Sequence, residues 1–355
     1  MTYASQAVLV LGATGAVGCG VVDFLTRDNS LEVVAASRDP ARAVALQQAY
    51  GCATTVVDII QSAHLAEVMA EYRWVVQAAG PAHLIADRVR SLARTHQVVV
   101  DVSGPPGELN GSSADGCYLW SGGVYPGLTE IWADHVIRSH LDTCWRVETH
   151  LAGNAGFTAT GNLDVLISLD DSRNHAMATL AGNQMVSAGP RTVNLPHPAG
   201  MRKAMPVVHP GLRVLARMHD LTEAAYHNTF ATAEALHRFM NLRSRVADGQ
   251  HLEVLAREMS EEDPPTVDDG WCMVFSSAHG IKSGSPVRVD GAILLPTDWN
   301  RASGWVSGAA LACLLSDPAI AVQADTVVEA VPSSQIIAAL STCGVRHRIT
   351  VKDLA

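Results

Sequence analysis

Gly12, Gly15 and Gly18 in the stretch "VLVLGATGAVGCG" fall at every third position, directly behind four apolar residues at 8–11. Val17, Val21, Val22 and Leu25 follow at helical spacing, so the run reads as strand, tight turn and helix. In such a run one glycine lets the chain turn sharply, a second lets backbone approach a pyrophosphate, and a third lets helix pack closely on strand. The phosphates would rest on the helix N-terminus, where free N–H groups and the helix dipole favour negative charge. Gly12, Ala13, Thr14, Gly15, Ala16, Val17 and Gly18 are therefore expected to cradle a dinucleotide.

The end of the second strand bears on which dinucleotide. An acidic residue there accepts the ribose hydroxyls of NAD, whereas an arginine accommodates the 2′-phosphate of NADP. Here the chain reads "AASRDPAR": Ser37 and Arg38 stand where the acid would, and Arg42 lies one helical turn on. A guanidinium fork suits phosphate, so NADP is favoured over NAD, although Asp39 remains able to meet a ribose. Asp58, at the end of the third strand, is open to two readings, a contact near the adenine or a helix cap.

Hydride transfer also needs a proton path when the acceptor is a carbonyl or an enoyl group; a protonated imine carries its positive charge already. Tyr125, before Pro126-Gly127, and His83, just beyond the Ala79-Gly80-Pro81 loop, are the candidate donors. For each, packing or a helix start is the competing explanation. Asp101 and Ser103, at the end of the fifth strand, would position substrate or cap the next turn. None of the six tyrosines has a lysine four residues on, which removes the short-chain dehydrogenase chemistry. Cys117 lacks an evident base in "DGCYLW" and reads as a packed thiol. The fifteen histidines show no H-E-x-x-H and no paired spacing on one helix, so no metal is expected.

The elements that must position these residues alternate. Strands at 31–36, at 53–58, from Trp74 in "WVVQAAGP" up to its Gly-Pro loop, and in "QVVVDVSGPPG" from 97 are separated by helical patterns opening at Asp39-Pro40, at 62–72 and at 83–95. Parallel strands need crossovers, so this is an α/β, Rossmann-type doubly wound parallel sheet, with Gly12, Gly80 and Gly104 at the carboxyl ends of strands where ligands bind. After "GGVYPGL" the texture changes. Residues 146–168 read as strand-like, 221–259 as rich in helix formers, and "WCMVFSSAHG" with "SPVRVDGAILL" as a hairpin or adjacent strands. The expected organisation is a dinucleotide domain over 1–125, a mixed α+β substrate and dimerisation domain over 126–300, and a segment over 301–355 that packs back on the first domain.

At 355 residues and 48% hydrophobic content the chain can bury the cores of about two domains. A net charge of −10 argues against nucleic acid or an anionic membrane as the main partner. The first strand begins within a few residues of Met1, which leaves no room for a leader, and the apolar stretch 302–316 is shorter than the ~20 residues that span a bilayer. A cytoplasmic protein is expected. The seven cysteines form no C-x-x-C pair, so neither a disulfide framework nor a zinc ribbon is indicated. Residues 172–219 contain no Asp or Glu but carry Arg191, Arg202 and Lys203 among other cations. Their prolines and glycines suggest a loop, on which these three would receive a substrate carboxylate or the acidic surface of a carrier protein.

"VLGATGAVG", the "AAGP" loop, "VDVSG", "GGVYPGL" and the C-terminal small-residue run "ASGWVSGAALACLL" together resemble the saccharopine dehydrogenase-like reductases. The resemblance covers the first ~130 residues and, in outline, the last ~50. It implies a nucleotide domain, an inserted substrate and dimerisation domain, a returning C-terminal segment and hydride transfer at carbon, commonly to an imine. The resulting expectation is a homodimeric NADPH-dependent reductase of an imine or another activated double bond. Its acceptor would be a small acid or a carrier-bound biosynthetic intermediate. The alternative from another class is a non-catalytic NADP-binding sensor.

Overall fold

The computed structural model of the chain describes residues 7–107, 116–168, 171–182, 184–262, 268–317 and 324–354. They fall into two compact units, Met1–Leu128 with Asn300–Cys343, and Thr129–Trp299 with Gly344–Ala355. The first begins β1 (Ala7–Leu11), α1 (Ala16–Leu25), β2 (Glu32–Ser37), α2 (Pro40–Tyr50) and β3 (Ala53–Val56). It continues α3 (Ser62–Met69), β4 (Trp74–Gln77), α4 (Ala82–Leu92), β5 (Val98–Asp101) and β6 (Cys117–Leu119). The second unit holds α5 (Leu128–His140, from Thr129), β7 (Thr143–Gly153), α6 (Ala159–Ser168), β8 (His175–Ala176), β9 (Ala178–Ala181) and β10 (Gln184–Ser187). Then come β11 (Arg191–Leu195), β12 (Gly200–Val208), α7 (Pro210–Met218), β13 (Glu223–Phe230), α8 (Ala233–Ala247), α9 (Leu252–Glu262), β14 (Cys272–Lys282) and β15 (Ser285–Leu295). The chain closes with α10 (Trp299–Ser316), α11 (Val327–Ala330), α12 (Ser333–Leu340) and β16 (Arg346–Asp353).

The first unit is a six-stranded parallel sheet in the order β3-β2-β1-β4-β5-β6. All five residues of β1 and all four of β4 and β5 are buried, as strands covered on both faces must be. Helix α10 packs on α1 through glycines. A Cβ on Gly304 would lie 2.2 Å from the Val17 carbonyl oxygen, and one on Gly20 would lie 2.4 Å from the Arg301 oxygen. The small-residue run near the C-terminus exists because two backbones touch there.

The second unit is a mixed ten-stranded sheet among the described residues, with the path β10-β9-β13-β7-β14-β15-β16 and with β11, β12 and β8 attached through β12. β7 runs parallel to β13 and antiparallel to β14. β14 and β15 form the hairpin read from the sequence, closed by Ser283 and Gly284, whose φ angles of 51° and 81° suit a two-residue turn. Among the described residues no helix is long and apolar enough to cross a membrane.

Four expectations change. The segment 301–355 does not return whole to the nucleotide unit: β16 instead hydrogen-bonds along β15 from Val287↔Asp353 to Leu294↔Arg346. Residues 159–168, expected as strand, form α6, because Leu163 and Leu166 pack against Leu242, Leu255 and Ala256 of α8 and α9. Conversely 223–230, within the stretch rich in helix formers, is a strand: β13 has neighbours on both sides, and the ladder outweighs the helix preference of its alanines. The basic segment is likewise not a loop but largely the antiparallel pair β11 and β12, turned at Gly200 with φ 64°.

Candidate functional site

The glycine run forms the turn between β1 and α1, and each glycine has a separate reason. Gly12 has φ 73°, and a Cβ on it would lie 2.5 Å from Ala79 Cα. The loops after β1 and β4 therefore touch at the strands between which the sheet order reverses, the switch point where such sheets bind ligands. A Cβ on Gly18 would lie 2.2 Å from the Gly12 oxygen, so this glycine lets the helix sit on the turn. Gly15 differs: it is exposed, and its Cβ would meet only the Gly12 oxygen, at 3.3 Å. It is also the N-cap of α1. The first helical hydrogen bond runs from Cys19 N–H to the Gly15 oxygen, so the N–H groups of Ala16, Val17 and Gly18 precede the ladder. Ala13, fully buried, donates its N–H to the Ala36 oxygen and fastens the turn to β2. An exposed glycine beside unladdered N–H groups fits a pyrophosphate, so the residues present suit a dinucleotide.

At the end of β2 the Ser37 side chain is buried and its hydroxyl lies 3.0 Å from that of Thr14. Ser37 thus braces the glycine turn and does not face outward. Arg38 is exposed and, among the described residues, has no hydrogen-bond or ion-pair partner. Arg42, also exposed, donates from Nη2 to the Thr14 oxygen at 2.6 Å. Asp39 caps α2 through the N–H groups of Ala41 and Arg42. The Arg42 guanidinium therefore sits on the glycine turn, Arg38 stands exposed at the end of β2, and the Asp39 carboxylate between them in sequence is engaged in a cap. Asp58 is likewise engaged as a turn cap, accepting from Ile60 N–H at 3.0 Å and from Gln61 Nε2 at 3.3 Å.

The loops after β4, β5 and β6 complete the carboxyl edge. Ala79, Gly80 and Pro81 lead into α4, and His83 is exposed in its first turn. Half-buried Tyr125 follows a turn braced by α10, where Ser307 Oγ donates to the Gly122 oxygen and Val124 N–H donates to Ser303 Oγ. Pro126, next in the chain, lies beside Gly104, so the β5 and β6 loops meet. Asp101 does not face this edge. It is fully buried, accepts from Ser103 N–H and Oγ, and receives the Tyr118 hydroxyl in a very short contact. Burial raises its pKa despite those bonds. Asp101 and Ser103 thus hold the turn after β5. Burial and the nearby Asp325 push the Cys117 thiol up to about 11, so it carries little nucleophilic thiolate at neutral pH.

Sequence reasoning passed over Gln77. It is buried at the end of β4, donates Nε2 to the Ala79 oxygen at 2.6 Å, and leaves its Oε1 without a partner. Within an apolar strand it looks like an ordinary core position.

In the second unit the three cations do not converge. Val193 pairs with Arg202 and Thr192 with Lys203, so Arg202 and Lys203 lie on opposite faces of the hairpin. Arg191 contacts Glu148, Arg202 donates to the Ala199 and Gly153 oxygens and lies over Trp271, and Lys203 donates to Thr192 Oγ1. Glu148 in turn lies beside His150 and His227, whose rings stack with centroids 4.6 Å apart. Burial lowers both imidazoles, His150 to about 4 and His227 to about 3, the latter with help from His150 and Arg191. The register of β7 against β13 that joins residues 77 positions apart is invisible in the sequence.

The sheet order, the glycine turn and its arginine rim define a protein that binds a dinucleotide in a Rossmann unit. The family model of the saccharopine dehydrogenase NADP binding domain matches residues 8–110. The solved structure of saccharopine dehydrogenase (L-Glu forming) from Saccharomyces cerevisiae has the same fold. Its TM-score is 0.69 at 12% identity, over 98% of this chain and 100% of that one. Residues 8–110 therefore form an NADP-binding domain of the saccharopine dehydrogenase type, NADP is the cofactor that this domain indicates, and the chain has the saccharopine dehydrogenase fold. A gentamicin A biosynthesis protein solved with NAD aligns at TM-score 0.44, with 15% identity over 98% of this chain and 97% of that one. A yeast methylglyoxal/isovaleraldehyde reductase solved with NADPH aligns at 0.24, with 24% identity over 28% of this chain and 38% of that one. Neither score bears on the fold. No curated protein sequence matches the chain significantly.

Proposed function

We propose that the chain is an NADPH-dependent reductase acting on an imine or another activated double bond of a small acid, free or carried as a thioester. The observation that carries this reading is the end of β2, where exposed Arg38 is followed by Arg42 on the glycine turn and the Asp39 carboxylate is engaged in capping α2. Ala16, Val17 and Gly18 would hold the pyrophosphate through their N–H groups, and Arg38 the 2′-phosphate. When bound, NADPH supplies the hydride.

The protein's own part is orientation, water exclusion and, where the acceptor needs it, a proton. Gln77 fixes the Ala79 loop, and Gly12 lets that loop close against the pyrophosphate turn. Tyr125 is the better-placed donor, because its turn is pinned by two serines of α10, whereas His83 is exposed at a helix start. For a protonated imine neither is required at the transfer step. The hairpin cations would serve the acceptor's anionic group singly, not as one clamp, and a carrier docking on them would weaken steeply with salt. Assembly as a cytoplasmic homodimer belongs to the same proposal.

Titrating the purified chain with NADPH and NADH tests the reading. It expects NADPH to bind at least tenfold tighter. Equal affinities would remove it, and tight NADPH binding without turnover of any bound acceptor would leave a sensor in its place.

A further inference from the structure

Glu148, His150 and His227 bring three metal-ligating side chains together on one face of the second unit's sheet. Residues 148 and 150 are two apart on β7, and His227 of β13 stands directly opposite His150. Glu148 Oε1 lies 3.0 Å from His150 Nε2 and 3.8 Å from His227 Nδ1, and one ligand atom from each residue lies within 4.8 Å of the others. Both imidazoles are only 4% exposed, and Phe275 walls His150 on the neighbouring strand.

These groups are poorly satisfied by the protein. Neither nitrogen of His150 makes an aligned hydrogen bond, the Glu148 approach being close in distance but wrong in angle. His227 Nδ1, the nitrogen 3.8 Å from Glu148 Oε1, is likewise buried without a hydrogen-bond partner. Unpaired buried nitrogens converging on a carboxylate are costly unless a cation sits among them. Ligands about 2.0–2.2 Å from a shared tetrahedral ion are separated by about 3.3–3.6 Å, a range that lies between the 3.0 and 3.8 Å separations here and is reached by side-chain shifts of a few tenths of an ångström.

The carboxylate already has two arginines beside it, of which Arg191 is the closer. Arg191 contacts Glu148 closely, and Arg146 lies 3.8 Å from its other oxygen. Arg191 is 47% exposed and sits on β11, which pairs only with β12 among the described residues. Its guanidinium can swing into water, whereas the two buried histidines cannot.

We propose that Glu148, His150 and His227 bind a divalent transition-metal ion of the zinc class, with Arg191 as an internal cation that competes for the carboxylate. Two nitrogens and one oxygen favour zinc, cobalt or nickel over magnesium or calcium, and three protein ligands leave a position open to water or an anionic ligand. The site is independent of the dinucleotide reading, whose failure would leave it standing.

The test adds Co²⁺ to chelator-treated full-length chain, follows its visible d–d bands, and then displaces it with Zn²⁺. One equivalent per chain is expected, unaffected by excess Mg²⁺. His150→Ala, His227→Ala and Glu148→Gln should each weaken binding about tenfold or more. Arg191→Gln, a change at a half-exposed edge position, should tighten it several-fold. Absence of tetrahedral Co²⁺ bands in both wild type and Arg191→Gln overturns the proposal. So does unchanged affinity in His150→Ala/His227→Ala, which would assign the ion to other histidines. If the histidine variants fail to fold, Arg191→Gln decides alone, and affinity no tighter than wild type refutes the site.

Discussion

Replacing Arg38 by alanine should separate NADPH from NADH. The side chain is exposed and has no partner among the described residues, so its removal breaks nothing inside the fold. A charge-assisted bond to phosphate contributes about 1.5–3 kcal/mol, and exposure to water and salt brings the expectation to about 1–2 kcal/mol. At about 1.4 kcal/mol per decade, NADPH affinity should fall about 5- to 30-fold while NADH affinity stays unchanged. Arg42→Ala is the informative contrast. Arg42 also holds the Thr14 oxygen at 2.6 Å, so its loss should loosen the pyrophosphate turn and weaken both cofactors. Fluorescence titration of each variant with each cofactor, at low and high salt, reads these changes. An Arg38→Ala chain that keeps its full NADPH preference, or loses both cofactors equally, would refute the assignment of the 2′-phosphate to this residue.

Gly15→Val should reduce dinucleotide binding tenfold or more while changing stability by about 1 kcal/mol, because Gly15 is exposed at the N-cap of α1, where the proposed pyrophosphate would lie, and a Cβ there meets only the Gly12 oxygen. Gly12→Ala should instead destabilise by about 2–4 kcal/mol through its clash with Ala79 and its positive φ, a contrast read by denaturant melts. Asp23 accepts from Trp305 Nε1 at 2.7 Å and pairs with Arg301 at 3.0 Å, so Asp23→Ala should cost about 1.5–3 kcal/mol. Burial alone would raise that carboxyl, but the bonds from Trp305 and Arg301 and the charges of Arg301 and Arg27 hold it below its ordinary 3.8. Its contribution is therefore full above that value and lost as pH falls through the lower folded value, and acid melts of Asp23→Ala should lack this part of the decline. Arg202→Ala should lower stability, since the side chain braces two carbonyls and Trp271, whereas Lys203→Ala should leave the melt within about 0.5 kcal/mol.

The nucleotide unit was legible because its signals are local. A buried apolar run, a glycine turn and an amphipathic helix repeat within about thirty residues, and the sheet order follows from crossovers. The N-cap at Asp39 was readable for the same reason, and so was the hairpin of β14 and β15, though not the residues of its turn. What local reading lacked was register. "EAAYHNTF" became a strand because β7 and β12 flank it, and that long-range pairing also assembled Glu148, His150 and His227. Burial was equally hidden: Asp101 has the residue type and position of a ligand contact, yet Tyr118 and Ser103 enclose it. Arg191, Arg202 and Lys203 are close in sequence, but strand alternation sends the last two to opposite faces.

The central claim is hydride transfer from NADPH, and isotope transfer tests it directly. The chain would be purified in the presence of NADPH, its retained small molecules identified by mass spectrometry, and each offered back with stereospecifically deuterated NADPH. Hydride transfer requires oxidation of the cofactor and a product carrying one deuterium on carbon, faster with NADPH than with NADH and slowed in Gly15→Val. A ligand that binds together with NADPH while the cofactor stays reduced and no deuterium moves would contradict it.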